Sequence, residues 1–278
     1  MNKKSLLSLV LTGALAIGLV GCGEAKDNKT TGIESEDKTI TIGVTPVPHK
    51  DIVEAIKPEL EAKGYTLKIV EFTDYVTPNT ALEEGELDAN YFQTVAYLDE
   101  TNEGKGLNLT YTKGVHLEPL AVYSNKIKAL DELKDGSTIA VPNDPSNEAR
   151  SLRVLENVGL IKLKAGELVT PRDITENPKN LKFEELEAAQ LPRVLDEVEL
   201  AVINGNYALE AGLSPSKNAV FVEDSKSEAA KKYHNVIAVK KGNENSQKIK
   251  DLTEGITSET VKKYIEEKYS DGSVIPVF

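Results

Sequence analysis

Strand-like and helix-like segments alternate from residue 39 onward, and the same alternation then runs a second time. Residues 39–44 (Thr-Ile-Thr-Ile-Gly-Val) read as a strand and 51–63 as a helix ended by Gly64. Residues 67–72 follow as a second strand, 80–84 as a short helical turn ended by Gly85, and 89–92 as a third strand. Further on, Thr138-Ile139-Ala140-Val141 echoes Thr41-Ile42-Gly43-Val44, and Leu181-Lys182-Phe183 echoes Leu67-Lys68-Ile69. The stretch 195–200 echoes 82–87 in the same order. Repeated βαβ units build mostly parallel sheets flanked by helices, so two α/β lobes of like topology are expected. The run 117–124 is placed to cross between them, 220–223 to return, 236–239 to add a strand to the first lobe, and 246–269 to form one or two terminal helices. The expected division is 38–122 plus 224–278 for lobe 1 and 123–223 for lobe 2. A chain that leaves one lobe and comes back makes a hinge of two crossings, and pockets favour such interfaces and the carboxyl ends of parallel strands.

The N-terminus reads as a processing segment. Lys3 and Lys4 precede an apolar stretch, residues 5–20, too short for the roughly 20-residue span of a bilayer. That pattern is a secretory signal over residues 1–21. It ends in Leu19-Val20-Gly21-Cys22, which resembles a bacterial lipobox and makes Cys22 the expected lipidation site. Cys22 is the single cysteine, so an exported chain has no internal disulfide. Residues 22–37 are polar, charged and unpatterned, as in a flexible tether. A formal charge of -12 with no basic run in the body argues against nucleic acid, whose phosphates demand a basic stripe.

Four arginines occur, and Arg150 has the most informative surroundings. It follows a strand ending near Val141, with Asp144 as the helix cap and Pro145 at the first helical position. Asn147 and Arg150, three apart, share a face near the helix start. A helix start and a planar guanidinium both suit a carboxylate, although an ordinary cap beside a surface arginine satisfies the same pattern. The apolar strand of residues 200–203 ends in Asn204-Gly205-Asn206, which either offers amides to a cleft or makes a plain turn. Aromatic residues are 5% of the chain, yet Tyr75, Tyr91, Phe92 and Tyr97 gather in the first half, as core or as a wall for an apolar ligand. Alternation sends Tyr91 and Phe92 to opposite faces, so one of the two at most lines a cleft.

Catalytic and metal signatures are lacking. The sequence has no G-x-S-x-G elbow, P-loop or G-x-G-x-x-G, and its acidic pairs read as solvated charge. His116 and Glu118 share one strand face, but no HExxH, CxxC or EF-hand pattern supports them, and His49 and His234 have no ligand-like neighbour in the sequence. No enzyme activity, metal or cofactor is expected.

The runs FTDYVTPNTALEEGELDANYFQ, AVPNDPSNEARSL, ENPKNLKFEELEAAQLPR and AVINGNYA resemble the MetQ/NlpA methionine-binding lipoproteins of ABC importers. The resemblance extends from the lipobox to the terminal helices. It implies a periplasmic-binding-protein-like (type II) α/β fold of two lobes that clamp a small amino acid, L-methionine first among the candidates. It implies a monomer lipid-anchored at the outer face of the cell membrane, with an ABC permease and its ATPase as partners. Carried over by position, Arg150 would grip the ligand carboxylate, and Asn147 and Asn204 would contact the head group. Tyr75 and Phe92 would wall the side-chain pocket, with His116 in a segment bordering it. The family commonly reads Phe-Gln-His where this chain has Phe92-Gln93-Thr94, so a methionine-containing dipeptide or another apolar amino acid also stands as a ligand. A surface adhesin retaining the fold is the reading from a different class.

Overall fold

The computed structural model describes residues 38–278. The signal, the lipidation site Cys22 and the tether lie outside the described residues. None of the described helices is long and apolar enough to cross a membrane.

The chain opens with β1 (Thr39–Val44), whose Ile40, Ile42 and Val44 are buried, followed by α1 (Asp51–Ala55) and α2 (Lys57–Ala62). One continuous helix is expected over this stretch. Pro58 supplies no N–H to the preceding turn, and the helix breaks at Ile56. After β2 (Thr66–Glu71), α3 (Thr77–Glu84) starts three residues ahead of expectation, because Asp74 Oδ1 accepts from the N–H groups of Val76 and Thr77 at 2.8 and 2.7 Å. Gly85, at φ +82°, ends it in the left-handed region that glycine adopts without strain. β3 (Ala89–Thr94), α4 (Val95–Lys105) and β4 (Leu109–Leu117) complete the first passage through this lobe.

The strand-like run at 117–124 is two strands, not one. β4 belongs to the first sheet and β5 (Ala121–Tyr123) to the second; Pro119 cannot donate to a ladder and separates them. The second lobe continues with β6 (Thr138–Pro142), α5 (Pro145–Asn157), a small hairpin of β7 (Lys162–Leu163) and β8 (Ile174–Glu176), then β9 (Lys182–Leu186) and β10 (Leu200–Ile203). α6 (Gly205–Glu210), α7 (Pro215–Asn218) and β11 (Ala219–Val222) lead to the return passage, and β12 (His234–Lys240), α8 (Gln247–Ile256), α9 (Glu259–Lys268) and β13 (Ile275–Pro276) finish the first lobe.

The sheet orders are β13-β4-β12-β3-β1-β2 and β11-β5-β10-β6-β9. The echoed segments hold equivalent places: β1 pairs in parallel with β2 and β3, and β6 pairs in parallel with β9 and β10. Beyond each parallel trio the sheets turn antiparallel, through β12 in the first and β5 in the second. The sheets are therefore mixed, and the reason is topological. The strand bordering each trio adjoins a crossing, so it arrives without a βαβ connection, which is what parallel pairing requires. Each lobe has its own core. Ile52, Leu60, Leu252 and Ile265 pack with β1 in the first, and Leu152, Leu155 and Val202 with β6 in the second. Each such side chain contributes about 1.5–3 kcal/mol when fully buried.

Candidate functional site

The carboxyl ends of both parallel trios meet at a cavity with an empty volume of about 360 Å³, its open mouth included. Phe92, Gln93 and Thr94 reach it from the end of β3, Tyr75 from the β2–α3 loop, Tyr97 from α4 and Asn235 from β12. The second lobe supplies Asn147 and Arg150 from α5 and Asn204, Gly205 and Asn206 from the β10–α6 turn, and Glu118 comes from the first crossing. Five of the six residues singled out in the sequence for ligand contact are among these: Tyr75, Phe92, Asn147, Arg150 and Asn204.

His116 is placed otherwise. It is wholly buried behind Glu118, with Nε2 at 2.7 Å from Glu118 Oε1 and Nδ1 bonded to the Tyr91 hydroxyl, and it does not line the cavity. His116 belongs to the ladder with β12, whereas Glu118 lies past the end of β4 and lines the cavity in front of it. Tyr91 and Phe92 do part to opposite sides, Tyr91 toward His116 and Phe92 toward the cavity.

Arg150 is 3% exposed and held on several sides. Its Nε and Nη2 donate to Glu223 at 3.3 and 2.5 Å, Nη2 also donates to the Glu118 carbonyl at 3.0 Å, and the guanidinium stacks 4.2 Å from the Tyr233 ring centroid. Among the described residues its Nη1 makes no hydrogen bond to the protein. At the start of α5 the Asn147 and Glu148 N–H groups are already engaged, the latter by the Asp144 carbonyl at 2.9 Å. Asp144 Oδ1 accepts from the Asn147 N–H at 2.9 Å, so the helix is capped from within. Asn204 Nδ2 donates to Asn147 Oδ1 at 2.8 Å, and Asn204 Oδ1 is buried with no partner. An acceptor in that condition is costly unless something donates to it.

Tyr75, Phe92 and Tyr97 form an aromatic cluster, with centroids 5.7 to 6.0 Å apart in tilted and edge-on arrangements. The Tyr75 hydroxyl donates to Asn206 Oδ1 across the cleft, and the Tyr207 hydroxyl reaches the Thr73 carbonyl at 3.2 Å, so the two lobes touch over the site.

The sequence singles out neither Glu118 nor Asn235 as a ligand contact and reaches Asn206 only through the Asn-Gly-Asn turn. Glu118 enters for the strand face it shares with His116, and Asn235 stands out only as an amide opening the apolar run of β12. Gly205 is what admits Glu118. A Cβ there would lie 2.5 Å from Glu118 Oε2 and 2.7 Å from Glu118 Cβ. His49, which lacks a ligand-like neighbour in sequence, gains one in space, with Nε2 3.6 Å from Glu118 Oε1. Ligand atoms of His49, His116 and Glu118 lie within 4.8 Å of one another, but hydrogen bonds already engage them, including His49 Nε2 to Asn235 Oδ1 at 3.1 Å and His116 Nε2 to Glu118. The cluster is a polar network. Burial pushes His49 down to about 4 and His116 to about 3, so both are neutral at pH 7, and burial raises the Glu118 carboxyl against the opposing pull of His49 and Arg150.

Residues 40–278 match the family model described as NlpA lipoprotein. The chain belongs to the NlpA lipoprotein family. It is 43% identical over 269 residues to the D-methionine-binding lipoprotein MetQ of Escherichia coli O157:H7, which covers 95% of this chain and 94% of that protein. It is 41% identical over 277 residues to the methionine-binding lipoprotein MetQ of Bacillus subtilis (strain 168), covering 98% of this chain and 96% of that protein. A solved nutrient binding protein from Burkholderia cenocepacia bound to methionine matches with a TM-score of 0.82 at 42% identity, over 86% of this chain and 100% of that one. The architecture is thus the periplasmic-binding-protein-like one, two α/β lobes on a two-crossing hinge. In this NlpA lipoprotein Thr94 faces the cavity, and its hydroxyl caps α4 by accepting from the Tyr97 N–H at 3.2 Å.

Proposed function

We propose that this chain is a substrate-binding lipoprotein that captures L-methionine between its lobes and delivers it to an ABC permease driven by a cytoplasmic ATPase. In this reading it works as a monomer, anchored through acylated Cys22 at the extracytoplasmic face of the cell membrane. The observation that carries it is the pairing, in one interlobe cavity, of a buried guanidinium and an unpartnered amide oxygen with three aromatic rings. A zwitterion matches the polar end, with its carboxylate on Arg150 Nη1 and its ammonium on Asn204 Oδ1. A thioether matches the aromatic end, where sulfur–ring contacts are worth ~0.3–1.5 kcal/mol.

The action is capture without chemistry. Ligand bridging the lobes favours the form in which Tyr75 meets Asn206 and Tyr207 meets Thr73, a population shift that a permease reads as surface shape. Calorimetric titration tests this. L-Methionine is expected to bind the wild-type chain, and Arg150→Ala to weaken it by at least about tenfold, as expected for a hydrogen bond to a charged group. Near-normal binding by a folded Arg150→Ala chain would remove Arg150 from the site. Failure of the wild-type chain to bind any free amino acid would end the receptor reading.

A further inference from the structure

An ordered chain of hydrogen bonds runs from Asp144 to the cavity, and it has a direction. A carboxylate only accepts, whereas an asparagine amide donates at one end and accepts at the other and fits most pockets either way round. Asp144 Oδ1 takes both the backbone N–H of Asn147 and its side-chain Nδ2, each at 2.9 Å. The Asn147 amide must therefore turn its oxygen outward, and that oxygen accepts Asn204 Nδ2 at 2.8 Å. Asn204 is left with its Oδ1 as the atom for the ligand, in a residue 8% exposed, and Oδ1 is buried without a partner. Were Asn147 reversed, Asn204 would reverse with it and present its NH2 to the cavity, where it would repel an ammonium group.

We infer that Asp144 is a positioning residue that, through Asn147, fixes the sense of the Asn204 amide and so makes the site select ligands carrying an α-ammonium donor. The inference rests on the amino-acid receptor reading above and deepens it. Asp144 touches no ligand in this scheme. It is also the cap of α5, so its removal has a purely structural consequence that the test must separate.

Two substitutions and two ligands make that separation. Asp144→Ser keeps an oxygen for the helix cap, but its hydroxyl donates as readily as it accepts and no longer dictates the sense of Asn147. Asp144→Asn keeps an acceptor oxygen where Oδ1 stands and serves as the rescue. The ligands are L-methionine and its 2-hydroxy analogue, in which a hydroxyl able to donate or accept replaces the ammonium. Calorimetry on the intact chain is expected to show methionine weakened about tenfold by Asp144→Ser and the hydroxy analogue changed by less than about threefold, with Asp144→Asn restoring methionine to within about threefold of wild type. Equal weakening of both ligands would mark a helix-cap effect and overturn the inference, as would no weakening of methionine. A wild-type chain that binds neither compound would overturn the receptor reading itself, and this inference with it.

Discussion

Glu148, in the first turn of α5, carries a carboxyl raised well above its ordinary range. It is buried, its Oε1 has no partner, and burial followed by the neighbouring Glu185 carboxylate pushes it up to about 8. Its ordinary value is 4.5, so between roughly that pH and 8 the folded chain holds a proton that the unfolded chain has released. Stability from this group is therefore present at low pH and lost as pH rises through about 8. Glu148→Gln replaces the carboxyl with a permanently neutral amide. Scanning calorimetry should find its Tm close to wild type at pH 5 and about 2–4 °C above it at pH 9, for each kcal/mol of relieved strain. A wild-type Tm that does not fall over that range would refute the assignment. Gly205 makes the opposite kind of demand, for space. Gly205→Ala puts a methyl group 2.5 Å from Glu118 Oε2, and overpacking of this sort costs about 1–3 kcal/mol. Denaturant titration should register that loss, and calorimetry a weakened ligand, because Glu118 lines the cavity and has to move.

Between elements, the informative contact is the knot where α5 meets both crossings. Glu223 begins the return passage. Its backbone N–H donates to the Leu120 carbonyl at 2.8 Å, and its Oε2 accepts from the Leu120 N–H at 3.2 Å as well as from Arg150. Arg150 adds its bond to the Glu118 carbonyl, so one guanidinium and one carboxylate clasp the two strands of the hinge together. The side chains of the pair are 4% and 11% exposed, which makes it a desolvated pair whose partners depend on each other. Removing one partner from such a pair costs about 3–5 kcal/mol. Glu223→Ala should lose about that much in urea unfolding. On the proposed reading, in which a methionine carboxylate sits on Arg150, methionine should then stabilise the variant by more than it stabilises wild type. An unchanged unfolding midpoint would show that the clasp contributes nothing. The break at Pro119 and the early start of α3 under Asp74 were each signalled by a single residue, and each is visible in the sequence once its neighbours are known.

At the scale of the whole molecule, two lobes of like topology face each other with their strand ends inward, and side chains from both close over one cavity. The doubled order of strands was legible because β1, β6 and β10 are short, apolar and bounded by turn residues, features that local backbone preference and burial write directly into the chain, while the charged edge strands β2 and β9 were placed by their order alone. The Asp144–Pro145 start of α5 was legible for the same reason, and it located Asn147 and Arg150. Antiparallel strands within each sheet were not, since an apolar run records that it is buried but not which way its neighbour points. Nor were the partners. Arg150 meets a carboxylate 73 residues away, and His49 meets Asn235 across 186 residues. His116, set at the border of the pocket by the family resemblance, lies behind Glu118, because a matching segment fixes a residue's place in the chain and not what stands in front of its side chain. Periodicity and capping, which act within a few residues, determined by sequence alone that there would be two α/β lobes and that Asn147 and Arg150 would share one helix start. The sense of each buried amide, the carboxylate that holds the guanidinium and the residues that complete the cavity were decided only when the crossings brought distant segments together, because hydrogen-bond direction and desolvation are properties of neighbours in space.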